Sequence, residues 1–146
     1  MQLRIKTFEE LTNRQLYEIV RVRTEIFLLE QNIVCQDFDG VDYDSLHCFL
    51  EEDGQVYAYL RAYRADNGEI KLGRVLTRTH GEGLGRTLME GAMPAVCRQF
   101  QTQTITLHAQ THAQGFYEKM GFVACSNVFL EEGIPHVEMR WTAKQA

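Results

Sequence analysis

The sequence lacks the features that mark membrane-spanning, secreted and metal-binding proteins. No apolar run approaches the roughly 18 residues of a membrane span, and the opening MQLRIKTFEE lacks the apolar core of a signal peptide. The four cysteines form no Cys-x-x-Cys pair, so neither a zinc site nor a redox motif is indicated. We therefore expect a cytoplasmic protein with no metal and no membrane partner.

The sequence also lacks an excess of basic residues and the signature of a triphosphate-binding loop. The net charge of −5 argues against nucleic acid as a partner, because duplex binders carry basic surfaces. No Gly-Lys-Ser/Thr sequence occurs anywhere. With 146 residues, 45% hydrophobic composition and no repeat or linker, the chain is expected to form one globular domain, residues 1–146.

Hydrophobic periodicity predicts an α/β (α+β) fold with a mixed sheet of about seven strands and flanking helices. The predicted strands are 2–8, 47–52, 55–65, 69–77, 104–109, 122–130 and 136–142, and the predicted helices are 12–29, 84–100 and 113–120. Turns at Asp53-Gly54 and 66–68 indicate an antiparallel meander. The crossover through the second helix predicts that strands 69–77 and 104–109 are parallel.

The sequence makes a specific prediction for one residue in each of the first two helices. Arg23 lies beside the apolar stripe of the first helix, where we predict a solvated guanidinium whose stem covers the core; a buried ion pair is the alternative. Pro94 removes a hydrogen bond within the second helix, which predicts a kink or an early end there.

The strand 55–65 is predicted to have two different faces. Alternation separates a polar aromatic face from an apolar one. The former comprises Tyr57, Tyr59, Arg61 and Tyr63, and the latter Val56, Ala58, Leu60 and Ala62. The tyrosines either pack against a neighbouring layer or line a ligand groove.

The acidic run between residues 30 and 46 is predicted to be an ordered surface loop that walls a pocket. It contains Asp37, Asp39, Asp42 and Asp44 but lacks the spacing and closing glutamate of a calcium loop. Such a run is consistent with a cationic substrate or with a merely solvated loop.

The most informative stretch is the glycine-rich turn from Gly81 to Arg86, between a strand and a helix. Gly81, Gly83 and Gly85 leave successive backbone N–H groups accessible at the positive end of the following helix, which favours an anion. A dinucleotide fingerprint would need a third glycine where Arg86 stands. The remaining alternative is a tight turn that binds nothing.

With these elements in order, the chain resembles the GNAT superfamily of acyl-CoA-dependent N-acyltransferases. The similarity is carried by His-Gly-Glu-Gly-Leu-Gly-Arg-Thr-Leu-Met at 80–89 and by Gly-Phe-Tyr-Glu-Lys-Met-Gly-Phe at 115–122. Glu-Gln at 30–31, Gln-Asp-Phe-Asp-Gly at 36–40 and Glu-Gly-Ile-Pro-His at 132–136 are similar to its ElaA-like subgroup.

The resemblance implies transfer of an acetyl or other acyl group from CoA to a small-molecule or peptide amine by direct attack. It also implies that the sheet splays between strands 4 and 5 to admit the cofactor. The cofactor-binding residues would be Val75, Leu76, Thr77, Gly81, Glu82, Gly83, Leu84, Gly85 and Arg86. Tyr117 would be the general acid and Glu30 the base, with His112 and His136 as alternatives. Gln31, Arg74, His112 and His136 would lie on the acceptor side.

Two departures from the superfamily pattern leave other functions open. His80 stands where the phosphate loop usually opens with Arg or Gln, and Gln114 is the nearest candidate for an Asn that many members carry. A non-catalytic acyl-CoA sensor and a partner-binding domain are therefore alternatives. A homodimer is also left open.

Overall fold

The computed structural model describes residues 1–144 as a mixed sheet with helices on both faces. The strands are β1 (Gln2–Thr7), β2 (Leu46–Glu52), β3 (Gln55–Arg64), β4 (Ile70–Thr77), β5 (Thr104–Gln110), β6 (Val123–Ala124), β7 (Phe129–Glu131) and β8 (Ile134–Thr142). The helices are α1 (Asn13–Arg23), which continues as a π-helical segment (Thr24–Glu30), α2 (Leu84–Phe100) and α3 (Gln114–Lys119). The sheet order is β1-β2-β3-β4-β5-β8-β6, and β7 pairs with β8.

The two faces of the sheet bury separate apolar clusters. Leu88 and Met89 of α2 pack with alternate residues of the central strands, such as Leu60. On the other face, Ile19 and Val22 of α1 pack against side chains that include Tyr59. The apolar residues that recur with the helical or strand period in the sequence therefore lie on buried faces.

The predicted splay between strands 4 and 5 is confirmed. β4 and β5 run parallel and pair only at Lys71 with Thr106 and at Leu72 with Leu107. Beyond Leu72 the two strands diverge, next to a bulge at which Arg74 adopts φ +54° and the β3–β4 register shifts. Because a bulge bends its strand, it accounts for the opening of the sheet at this point.

Three details differ from the predictions. Segment 122–130 forms two short strands, because the hydroxyl of Ser126 accepts the Glu138 N–H at 2.9 Å where a ladder bond would otherwise form. Val56 packs on the Tyr59 side, because a register shift near Tyr57 reverses the alternation. The second helix continues through Pro94 to Phe100, so it does not end early.

The described helices are too short or too polar to cross a bilayer. None within residues 1–144 combines sufficient length with sufficient hydropathy.

Candidate functional site

The glycine turn lies between the end of β4 and the start of α2. Gly81 and Gly83 have φ values of +80° and +72°, a left-handed backbone that glycine adopts without a Cβ clash. Gly83 caps the helix, and its carbonyl accepts the Thr87 N–H at 3.0 Å. Within residues 1–144, the backbone N–H groups from Gly81 to Arg86 donate to no protein acceptor. These donors and the helix dipole together form a site suited to an anion.

Gly85 brings the start of α2 against α3. A Cβ atom at Gly85 would lie 3.1 Å from Cζ of Phe116 and 3.6 Å from Cγ2 of Thr77. Because 3.1 Å is closer than carbon atoms normally approach, a larger residue would displace the Phe116 ring. The glycine turn, the end of β4 and the residue preceding Tyr117 therefore meet at one point.

The charged side chains beside the turn are exposed and form surface ion pairs. Nε of Arg86 donates to Glu90 at 2.7 Å. Nε2 of His80 lies 3.7 Å from Oε1 of Glu30, and these side chains are 82% and 52% exposed. The predicted base Glu30 thus lies near the glycine turn, and it is not among the residues that line the cavity described next.

A cavity of about 620 Å³ opens where β4 and β5 separate. The structure brings Tyr117 and Val75 together there with all four predicted acceptor-side residues, Gln31, Arg74, His112 and His136. The other predicted cofactor-binding residues, Leu76, Thr77 and 81–86, do not line the cavity and follow Val75 along β4 and the turn. The candidate site thus has two parts, which meet at Val75.

Tyr117 lies on α3 and is 8% exposed. Its ring makes edge-on contacts with Phe116 and Phe122, at centroid distances of 5.2 and 5.8 Å. Burial raises the pKa of the Tyr117 phenol above its usual value, so the group stays protonated at neutral pH. Tyr117 also lines the cavity, so a protonated phenol lies beside any ligand bound there.

Arg23 is buried, so the prediction of a solvated guanidinium is wrong. Its side chain is 0% exposed. Nη1 donates to Asp42 at 2.6 Å and Nε donates to Asp37 at 3.0 Å, while the Phe38 ring covers the guanidinium at 4.0 Å. Periodicity indicated which helix face the arginine occupies, but it could not show that the acidic loop folds back over that face.

Two further arginines, on strands β3 and β4 of the sheet, hold the acidic loop in place. Arg61 forms a bidentate pair with Asp39, both distances being 2.9 Å, and this hydrogen bonding lowers the pKa of Asp39 to about 2. Arg74 lies 2.7 Å from Oδ1 of Asp37 and donates to the Asp37 carbonyl at 3.0 Å. The loop walls the cavity, as predicted, with these carboxylates already paired to arginines.

Sequence reasoning missed three polar cavity residues that contact one another, Lys71, His108 and Glu131. Alternation with the buried Leu72 and Leu107 was the available signal, since it places Lys71 and His108 together on the opposite face. No comparable signal existed for Glu131, because only the pairing of β7 with β8 brings it to the cavity.

Comparison with known proteins identifies the class to which this fold and site belong. Residues 27–143 match the acetyltransferase (GNAT) domain family. The chain therefore belongs to the GNAT acetyltransferase family.

Within that family, the chain is similar to ElaA and to its relatives. ElaA of Escherichia coli is 33% identical over 94% of each chain, and its crystal structure superposes with a TM-score of 0.88. An acyl-CoA N-acyltransferase structure from Pseudomonas aeruginosa is 38% identical, with a TM-score of 0.90 over 97% of this chain and 100% of that one. A UPF0039 protein of Schizosaccharomyces pombe is 35% identical over 92% of this chain and 93% of its own.

Proposed function

We propose that this protein transfers an acetyl or other acyl group from acyl-CoA to an amine. One observation carries the proposal: a helix start with free backbone donors leads along the open edge of β4 to a cavity that contains a buried, protonated tyrosine. Membership of the GNAT family supports the same reaction class.

The cofactor would lie along β4. Backbone N–H groups of Gly81 to Arg86 would hold the CoA diphosphate, and the Arg86 side chain would add a charge-assisted contact. The pantetheine arm would pair with the main chain of residues 75–77, as an added strand does, because β5 has diverged from this edge. No metal takes part in this scheme.

Tyr117 would act as general acid when the thioester is cleaved. An N–H of residues 75–77 would polarise the thioester carbonyl, which the amine attacks. The departing thiolate, of a thiol whose pKa is ordinarily about 8.5, would take the phenolic proton. Glu30 lies outside the cavity, so a different group is needed to accept the amine proton directly.

Thiol release from acetyl-CoA in the presence of a panel of amines tests the reaction. We expect amine-dependent release of free CoA, together with an increase in unfolding free energy of about 2.7 kcal/mol at CoA concentrations 100 times the dissociation constant. Stabilisation by CoA without thiol release would favour a non-catalytic acyl-CoA sensor. That alternative is suggested by His80, which stands where the phosphate loop usually has Arg or Gln. Absence of both effects would leave the glycine turn as a structural feature only.

A further inference from the structure

Four polar side chains from adjacent strands form a chain of contacts along one wall of the cavity. Nζ of Lys71 on β4 lies 3.3 Å from Nε2 of His108 on β5. Nδ1 of His108 lies 2.9 Å from Oε1 of Glu131 on β7. Oε2 of Glu131 lies 3.6 Å from Nε2 of His136 on β8. All four residues line the cavity that contains Tyr117.

The partners of these atoms determine which ring nitrogens carry protons. Nδ1 of His136 lies 2.7 Å from the carbonyl oxygen of Ile134 and must donate to it, because a carbonyl only accepts. In the neutral ring, Nε2 of His136 is then an unprotonated acceptor. Nδ1 of His108 likewise donates to the Glu131 carboxylate, and its Nε2 accepts from the Lys71 ammonium.

When the His136 ring is neutral, two hydrogen-bond acceptors therefore face each other without a proton between them. Nε2 of His136 and Oε2 of Glu131 are 3.6 Å apart, and each lacks a hydrogen to offer the other. An ammonium group has three N–H donors and satisfies both atoms at once. An anionic substrate would be repelled by the Glu131 carboxylate. The two atoms therefore favour a positively charged acyl acceptor.

We propose that His136 Nε2 is the general base and that Glu131 binds the ammonium of a primary-amine acceptor beside it. This inference rests on the proposed acyl transfer. The ammonium gives one proton to His136 Nε2, and the freed lone pair forms the C–N bond. When the C–S bond breaks, Tyr117 protonates the thiolate, and the second amine proton returns to the Tyr117 phenolate. His136 then releases its proton to solvent.

His108 is a positioning residue in this scheme. Its Nδ1–H fixes the Glu131 carboxylate, so that Oε2 is directed to His136. Lys71 and Glu138 face the other side of the His108 ring, with Glu138 Oε1 at 3.8 Å from both Lys71 Nζ and His108 Nε2. The Phe129 ring stacks on His136 at 6.1 Å and limits its rotation. Among the described residues, the Glu131 carboxylate is the charged group that lies within 4 Å of His136.

His136→Asn tests the base, because the Asn amide retains a donor for the Ile134 carbonyl and lacks the basic nitrogen. We expect kcat/KM to fall by about 100-fold or more and the acidic limb of its pH profile to disappear, with acetyl-CoA affinity unchanged. A variant that keeps the wild-type acidic limb would overturn the assignment. If the wild-type protein binds acetyl-CoA but acylates no amine, the proposed function itself would be overturned.

Glu131→Gln tests the ammonium site, with Glu132→Gln as the matched comparison. Both changes remove one carboxylate from the cavity lining, but Glu131 alone of the two contacts His136. We expect the amine KM to rise markedly more for E131Q than for E132Q. Equal increases would indicate general charge attraction and would contradict the specific site.

A measurement independent of activity examines the same geometry. Long-range ¹H–¹⁵N correlation spectra of the free protein report the tautomer of each ring. We expect His108 and His136 both to be protonated at Nδ1 in their neutral forms. Protonation of neutral His136 at Nε2 would overturn the proposal whether or not the protein proves to be an acyltransferase.

Discussion

Replacing Tyr117 by Phe is expected to lower kcat for acyl transfer by about 100-fold or more, while the affinity for acetyl-CoA stays unchanged. The substitution removes only the hydroxyl, so the edge-on packing against Phe116 and Phe122 is retained. What is lost is the proton that the thiolate needs on departure, an interaction made in the transition state. Steady-state thiol release and calorimetric titration with CoA measure the two effects separately.

Tyr17→Phe is the matched control for that experiment. Tyr17 lies on α1, is 67% exposed and is not part of the cavity lining, and the substitution removes the same hydroxyl there. We expect wild-type turnover from it. Normal turnover by the Tyr117→Phe enzyme would refute the role of general acid.

The largest stability effect is expected from Arg23→Met, which should reduce the unfolding free energy by about 3 to 5 kcal/mol. Methionine has a similar length but leaves Asp42, which is 5% exposed, without its closest cationic partner. A buried carboxylate without compensation is costly, and the acidic loop would lose one of its anchors on the helix side. Urea denaturation of the two proteins measures the difference.

Arg14→Met provides the comparison on the same helix. Arg14 is exposed, and its Nε donates to the Gly54 carbonyl at 3.5 Å. Substitutions at surface positions of this kind usually change stability by less than about 0.5 kcal/mol, so R14M should be nearly neutral. If R23M were equally mild, the arginine–aspartate network would not hold the loop as described.

Local signals predicted much of the fold correctly because they act over a few residues. The hydroxyl of Thr12 accepts the Gln15 N–H at 3.0 Å, and the Gln15 side chain accepts the Thr12 N–H at 3.0 Å, which completes the expected capping box. The Asp53-Gly54 turn has φ values of +51° and +74°, as a two-residue hairpin requires. The Gly83 start of α2 follows from the same kind of short-range rule.

What the sequence did not reveal depends on contacts between distant segments. The burial of Arg23 depends on a loop 14 to 19 residues further along the chain. The position of Glu131 beside His136 depends on the β7–β8 pairing, which no periodicity specified. The π-helical turn after Arg23 was missed because its side-chain pattern resembles that of an α-helix.

Backbone amide shifts on addition of CoA test the central claim most directly. In ¹H–¹⁵N correlation spectra, we predict that the largest changes occur at the amides from Gly81 to Arg86 and that pantetheine, which lacks the diphosphate, does not reproduce them. Saturating CoA that leaves these amides unmoved, or that shifts a different region of the chain, would contradict the proposed cofactor site.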